Sequence, residues 1–297
     1  MTISNRHGLP QVLVNLAMRD SYSRGAARIS VTELIGSPRI RILKHRHSGE
    51  IVSDVSDMLW SLVGRALHKV VEDGADGEHI AEERLFADVN GWKISGGIDL
   101  QSPKRGKNDE IVSSDLVDWK LTSVWSVMNP KRDWERQLNS YAYLVQQAKG
   151  WDVTGLSIIA VLRDWNRREA SRRPEYPQAP VQVIEQPLWS EAQREEYVRN
   201  RVLIHQDADR RQQWGEDLPD CSAEDRWMRP TMWAVMKEGR KSALRVFDSE
   251  TDARAYSLAQ AGSFVQERPG ENVRCENHCP VSEWCGQFAR IKGEASA

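Results

Sequence analysis

The chain has 297 residues, of which 40% are hydrophobic and 28% charged, with a formal net charge of −2 at pH 7. That size allows one large domain or a core with a small appended module, and the composition is ordinary for a globular protein. It excludes a uniformly basic nucleic-acid coat protein, and no apolar run approaches the ~20 residues of a membrane span. The polar opening Met1-Thr-Ile-Ser-Asn-Arg lacks the apolar core of a signal peptide, so a cytoplasmic protein without disulfides is expected.

After this polar stretch, Ser30 to Leu34 carries the cap residues of a short helix, and a basic segment runs from Arg39 to His47. Between Asp57 and Glu72, Met58/Leu59, Leu62/Val63, Ala66/Leu67 and Val70/Val71 recur every four residues. That spacing predicts a helix with a broad buried face, ended by Gly74 and Gly77. Residues 83–89 and 92–100 read as strands joined at Asn90-Gly91, the strongest two-residue hairpin signal. Residues 102–109 read as a polar turn and 111–120 as a third strand. Trp134, Leu138, Tyr141, Ala142 and Val145 mark an amphipathic helix, and the apolar run 156–162 a buried central strand. An Arg- and Pro-rich loop follows, then an edge strand at 181–185. Ser190 and Gln193 form a capping box for a polar helix reaching about Arg211. Beyond Gly215 the texture changes. Residues 233–237 and 244–247 flank Gly239 as a hairpin, and Ser249 caps a helix to about Gln260. Helix, three strands, helix, strand predicts an α/β core with a mixed sheet over 1–215, and residues 216–297 a small α+β module.

Four short patterns fall on that core in order: Gly64-x-x-x-His68, Gly96-Gly97-Ile98-Asp99, Asp118-Trp119-Lys120 and Gln137-x-x-x-Tyr141. Residues four apart share a helix face, and residues two apart share a strand face. Two acids, a histidine and a lysine can therefore meet at one point, which is what metal-assisted cleavage of a phosphodiester requires. Asp99 and Asp118 are the candidate carboxylate ligands of Mg²⁺ or Mn²⁺, with His68 adding a nitrogen ligand that favours Mn²⁺. Lys120 can orient a water or offset phosphate charge.

The order and spacing of these motifs resemble the PD-(D/E)XK nuclease superfamily, in its RecB-like exonuclease branch, over about residues 30–165. The resemblance implies an αβββαβ restriction-endonuclease-like core, catalytic roles for Asp99, Asp118, Lys120, Gln137 and Tyr141, and a backbone carbonyl ligand at Trp119. The departure is Ile98 where the superfamily's name motif has proline. Lys131, Arg132 and Arg136 lead into the Gln137 helix and are the favoured phosphate contacts. Two other basic strips stand at Arg39, Arg41, Lys44 and Arg46, and at Arg163, Arg167, Arg168, Arg172 and Arg173. Trp125 and Trp165 are open to either packing or base stacking.

All four cysteines lie in the C-terminal module, at Cys221, Cys275, Cys279 and Cys285. Such confinement points to one metal site rather than disulfides. The spacing lacks the paired Cys-x-x-Cys knuckles usual for zinc, while Cys-Pro at Cys279-Pro280 is familiar from iron–sulfur proteins. On the residues alone iron–sulfur, zinc and unligated thiols all remain open. The cluster resembles the C-terminal one with which CRISPR-associated and helicase–nuclease members of the branch hold a 4Fe–4S cluster, although their lone cysteine precedes the nuclease motifs and Cys221 follows them. The expectation is a Mg²⁺- or Mn²⁺-dependent DNA exonuclease of recombination, repair or phage DNA metabolism. With no Walker-type phosphate loop, any helicase or recombination partner would be a separate protein. The rivals are a structure-specific endonuclease on the same core and a non-catalytic DNA-binding or assembly subunit.

Overall fold

Asn90 and Gly91 both take positive φ, 48° and 76°, as a type I′ hairpin turn requires. From that turn the Ile80–Val89 and Trp92–Arg105 strands run back antiparallel, with Val89 opposite Trp92 and Ile80 opposite Gln101. This hairpin is the frame of a six-stranded mixed sheet in the computed structural model, which describes residues 2–19, 25–129 and 132–295.

The other edge of Trp92–Arg105 has two neighbours in succession. Ile29–Ser30 pairs with it in parallel at Ile94 and Ser95. Ile111–Thr122 pairs antiparallel, starting only at Leu100 opposite Val117. Gly96, Gly97, Ile98 and Asp99 span the gap between them. The sheet continues through Asp152–Leu162, parallel to Ile111–Thr122, to the antiparallel edge strand Val181–Glu185.

The Arg132–Lys149 helix packs on this sheet, burying Trp134, Leu138, Tyr141, Ala142, Leu144 and Val145 in one core with Ile29, Leu34, Ile94, Ile98, Leu116 and Ile158. The Glu191–Trp214 helix adds Val198 and Val202 to that core. It opens on the capping box at Ser190 and Gln193 and stops at Gly215, in the left-handed region at φ 71°.

Contacts divide the chain into two compact units, residues 1–38 with 48–217 and residues 39–47 with 218–297. Within the second, Met232–Lys237 lies between Arg245–Phe247 and Ser263–Arg268 in an antiparallel sheet, with the Glu250–Leu258 helix against it. The basic segment after Pro38 is a helix, Pro38–Arg46, and its residues from Arg39 onward belong to this unit. Arg39 is buried; its guanidinium donates to the carbonyls of Leu218 and Pro219 and pairs with Asp220 at 2.8 Å. Cys221 and Gln287 exchange two hydrogen bonds of 2.8 and 2.9 Å.

Three expectations are corrected. The Val55–Gly74 helix buries only Val55, leaving Leu59, Trp60, Val63 and Val70 between 41% and 68% exposed. It packs against the Gln11–Met18 helix and the Ile111–Thr122 strand, so among the described residues its apolar pairs outnumber the surface available to cover them. The polar turn begins later than expected, because the second strand runs on to Arg105 with a register shift at Lys104/Arg105. The Arg- and Pro-rich loop contains a short helix, Arg167–Arg172, capped by Asn166.

The two glycines of the Gly96-Gly97 pair are not equivalent. A Cβ on Gly96 would stand 2.7 Å from Tyr141 and Leu144, whereas one on Gly97 would meet only the end of Arg84 at 3.4 Å. Gly96→Ala is expected to destabilise the protein by about 1–3 kcal/mol, since neither core side chain has room to yield. Gly97→Ala should remain close to wild type. Urea unfolding of both variants checks the difference.

Candidate active site

The gap in the sheet edge is a cleft, and its walls carry the motifs. Asp99 and Asp118 would face each other one step beyond the last ladder pair, Leu100 and Val117. The strands part there, and the Trp119 N–H donates instead to Asp99 Oδ2 at 2.8 Å. On the hairpin side, Ala81 pairs with Leu100 and Glu83 with Ile98, so Glu82 is level with Asp99 but outside the ladder, at φ 51°. A non-glycine residue held there costs energy that the surrounding structure must supply, a condition concentrated at functional sites. Glu82, Asp99 and Asp118 thus form one row across three strands.

His68 closes the row from the Val55–Gly74 helix. Its Nδ1 lies 3.1 Å from Glu82 Oε1 and 3.5 Å from Asp99 Oδ1, and the three residues each offer a ligand atom within 4.8 Å of the others. The helix is fixed at its start by Asp54, which accepts from the Ser56 N–H and hydroxyl and from the Arg6 N–H and Ser4 hydroxyl at 2.7–3.1 Å. These donors hold the Asp54 carboxyl well below the usual carboxylate range. From the Arg132–Lys149 helix, the Gln137 amide donates to Asp118 Oδ1 at 3.1 Å and to the Tyr141 hydroxyl at 2.7 Å. Asp118 Oδ2 forms an ion pair with Lys120 Nζ at 2.5 Å.

Burial, then the neighbouring Asp118 carboxylate, pushes Asp99 up to about 7. His68 is also raised, first by its hydrogen bond to Glu82 and further by Asp99 and Asp118, against the opposing effect of its own burial. Without a cation, the cleft therefore retains protons near neutrality that a divalent ion would displace.

All six motif residues, His68, Asp99, Asp118, Lys120, Gln137 and Tyr141, line this one cleft together with Arg65, Lys69 and Arg84. Of the favoured phosphate contacts, Lys131 lies outside the described residues. Arg132 is exposed at the start of its helix and Arg136 pairs with Asp133 at 3.5 Å; neither lines the cleft. Trp165 is packed against the core and donates to the Pro177 carbonyl, whereas Trp125 is 63% exposed. Glu82 was missed by the motif reading. Its signal was present: register counted outward from a two-residue Asn-Gly turn sets Glu82 opposite Asp99.

The four cysteines line a single cavity in the second unit, with Arg226, Arg274, Leu43 and Phe288 around them. Three are buried and all are free thiols. Burial and the adjacent Cys279 and Cys285 thiols raise Cys275.

No known family's sequence profile matches the chain, and no curated protein matches it in sequence. Among solved structures it is similar to the crystal structure of SSO0001, at 18% identity and a TM-score of 0.44, over 65% of this chain and 85% of that one. No helix among the described residues is long and apolar enough to cross a membrane.

Replacing Asp99 by Asn removes a buried charge without changing side-chain shape. Because the folded-state value is raised, the wild-type penalty is full above about pH 7 and fades as pH falls toward the ordinary carboxylate range. Metal-free Asp99→Asn should therefore melt higher than wild type at pH 8, with the gap shrinking on acidification. Added Mn²⁺ should raise the melting temperature of wild type and not of the variant; differential scanning calorimetry in chelator and in Mn²⁺ reads both.

Proposed function

We propose that this cleft is the active site of a Mg²⁺- or Mn²⁺-dependent DNA nuclease of the PD-(D/E)XK, RecB-like kind, acting as an exonuclease in recombination, repair or phage DNA metabolism. The observation that carries the reading is the acid row Glu82, Asp99 and Asp118, set level across three strands beside Lys120 and His68. Carboxylate oxygens with one imidazole suit a hard divalent ion and favour Mn²⁺ over Mg²⁺. When bound there, such an ion would lower the pKa of a water and stabilise charge on the attacked phosphate.

The chain's own groups prepare that chemistry. The Trp119 N–H holds Asp99 Oδ2, which leaves Oδ1 turned toward His68. Gln137 holds Asp118 Oδ1, leaving Oδ2 to Lys120. Tyr141 fixes the far side of the Gln137 amide. Lys120 then stands where it can orient an attacking water and neutralise a phosphate oxygen. Each of these two carboxylates thus has one oxygen held by a neutral donor and the other facing a basic side chain of the cleft.

Asp118→Ala and Lys120→Ala should each reduce cleavage of linear duplex DNA by about a hundredfold or more in saturating Mn²⁺. Retention of a tenth of wild-type activity in both would remove this site from consideration. Glu82→Ala and His68→Ala should lose most activity at low Mn²⁺ and recover part of it at high Mn²⁺, since a lost ligand is offset by mass action. A covalently closed circle run alongside separates the two modes: an exonuclease leaves it intact, and an endonuclease cuts it.

The cysteine cavity supports an iron–sulfur cluster as the second cofactor. A closed tetrahedral zinc site, with bonds of about 2.3 Å, brings its sulfurs to about 4 Å of one another. Four cysteines lining one cavity would supply the four thiolates of either a tetrahedral zinc or a cubane, and Cys279-Pro280 favours the cubane. Arg226 and Arg274 beside Cys275 supply positive charge against the thiolates. Cys221, Cys275, Cys279 and Cys285 would be the ligands, and the cluster a staple for a small unit. Protein purified without oxygen should be brown with about four irons per chain, and any single Cys→Ser change should bleach it and lower its melting temperature. Asp118→Ala should keep the colour. Colourless protein with one zinc overturns the cluster and leaves the nuclease reading standing.

A further inference from the structure

The exposed face of the Val55–Gly74 helix is not merely apolar. Trp60, half exposed, carries the Arg163 guanidinium over its ring, 5.0 Å from the centroid. Arg163 is in turn fixed by its N–H, which donates to the Thr122 carbonyl at the end of the strand that bears Asp118 and Lys120. The next residue, Asp164, accepts the Val124 N–H at 2.8 Å. That bond anchors the short Val124–Met128 helix, on which Trp125 is exposed. Three segments distant in sequence are thus tied together, and each contributes a planar or cationic group facing solvent.

Two independent rulers place this cluster relative to the acid row. Trp60 is two turns before His68 on one helix, about 12 Å by helix rise. Thr122 is four residues past Asp118 on one strand, about 13 Å by strand rise. The agreement sets the platform roughly three to four stacked nucleotides from the reacting phosphate, and about two when the strand is splayed.

The chemistry of the cluster favours one occupant. Arg163 in the cluster, and Arg167 and Arg168 shortly after it in the chain, are exposed cations, complementary to a polyanion. Exposed indoles and a stacked guanidinium offer flat faces, and within DNA only unpaired bases have flat faces free to meet them. In a closed duplex the base faces are already stacked. We propose that Trp60, Arg163 and Trp125 form a stacking platform for unpaired nucleotides of the DNA strand whose phosphodiester occupies the acid row. The inference rests on the nuclease reading of that row.

The test uses the full-length chain carrying Asp118→Ala, to prevent cleavage, in Mn²⁺. A short single-stranded DNA oligonucleotide with 2-aminopurine at successive positions reports both affinity and stacking. Trp60→Ala and Trp125→Ala, on residues whose exposure leaves no core cavity, should each weaken binding by about tenfold and abolish 2-aminopurine quenching two to four nucleotides from one end. Trp60→Phe should restore part of both. Blunt duplex should bind less tightly than the single strand, and the tryptophan variants should leave its affinity unchanged. Undiminished single-strand binding by both alanine variants overturns the platform, as does tighter binding of a matched RNA strand or of blunt duplex. The two readings fail separately. A wild-type chain inactive in Mn²⁺ whose tryptophan variants still lose binding sinks the nuclease and keeps the platform, while an active enzyme with unaffected binding does the reverse.

Discussion

The two-residue turn at Asn90-Gly91 governs the geometry of the whole cleft. A type I′ turn admits one register, so every residue of the first strand has a defined partner on the second. That register brings Glu82 level with Asp99. The third strand pairs only from Leu100, and so Asp118 arrives at the same level with no ladder bond to hold it against its neighbour. Insertion or deletion of one residue in the turn would move Glu82 away from the row. The acids are thereby positioned by backbone pairing, the stiffest device available to a sheet, rather than by side-chain packing.

Placing carboxylates so close works against folding, and the structure offsets the cost locally. Asp99 keeps one oxygen on a backbone N–H, Asp118 has an amide and an ammonium, and Glu82 has an imidazole. Even so, Asp99 remains costly to ionise near neutrality. A site that resists its own charge gains most when a cation enters, because the ion relieves repulsion between acids already held in place. On the proposed metal-site reading, affinity for the ion and intrinsic stability would be drawn in opposite directions by the same residues.

Much of this was legible in the chain because the signals were local. The Asn-Gly turn, the capping boxes at Ser30 and Ser190 and the apolar positions of the 132–149 helix each act within a few residues. Spacing pointed to a meeting of His68, Asp99, Asp118 and Lys120, the resemblance added Gln137 and Tyr141, and all six line one cleft. What escaped depends on partners distant in sequence. Glu82 is acidic and unremarked until the hairpin register is counted. The 55–74 helix has the periodicity of a buried element, but whether anything covers it is decided by the rest of the fold. Arg39 and Arg41 read as a basic strip, yet both are buried, and Arg39 serves carbonyls about 180 residues away. Trp125 and Trp165 look alike in the sequence and differ in exposure because only Trp165 finds the core and a carbonyl.

The division of the second unit into residues 39–47 and 218–297 has a consequence for how the protein is made. Ile40 and Leu43, which line the cysteine cavity, and Arg39, which bonds Leu218 and Pro219, leave the ribosome well before their partners. At ordinary elongation rates of about 5–20 residues per second, the intervening chain takes roughly nine to thirty-four seconds to synthesise. Over that interval the first unit has all its residues from 48 onward emerging in order and can fold, while one basic, half-apolar helix waits for its other half. Cys221, Cys275, Cys279 and Cys285 all follow the 39–47 segment by more than 170 residues, so on the proposed cluster reading any metal would be taken up only after that segment's partners have been made.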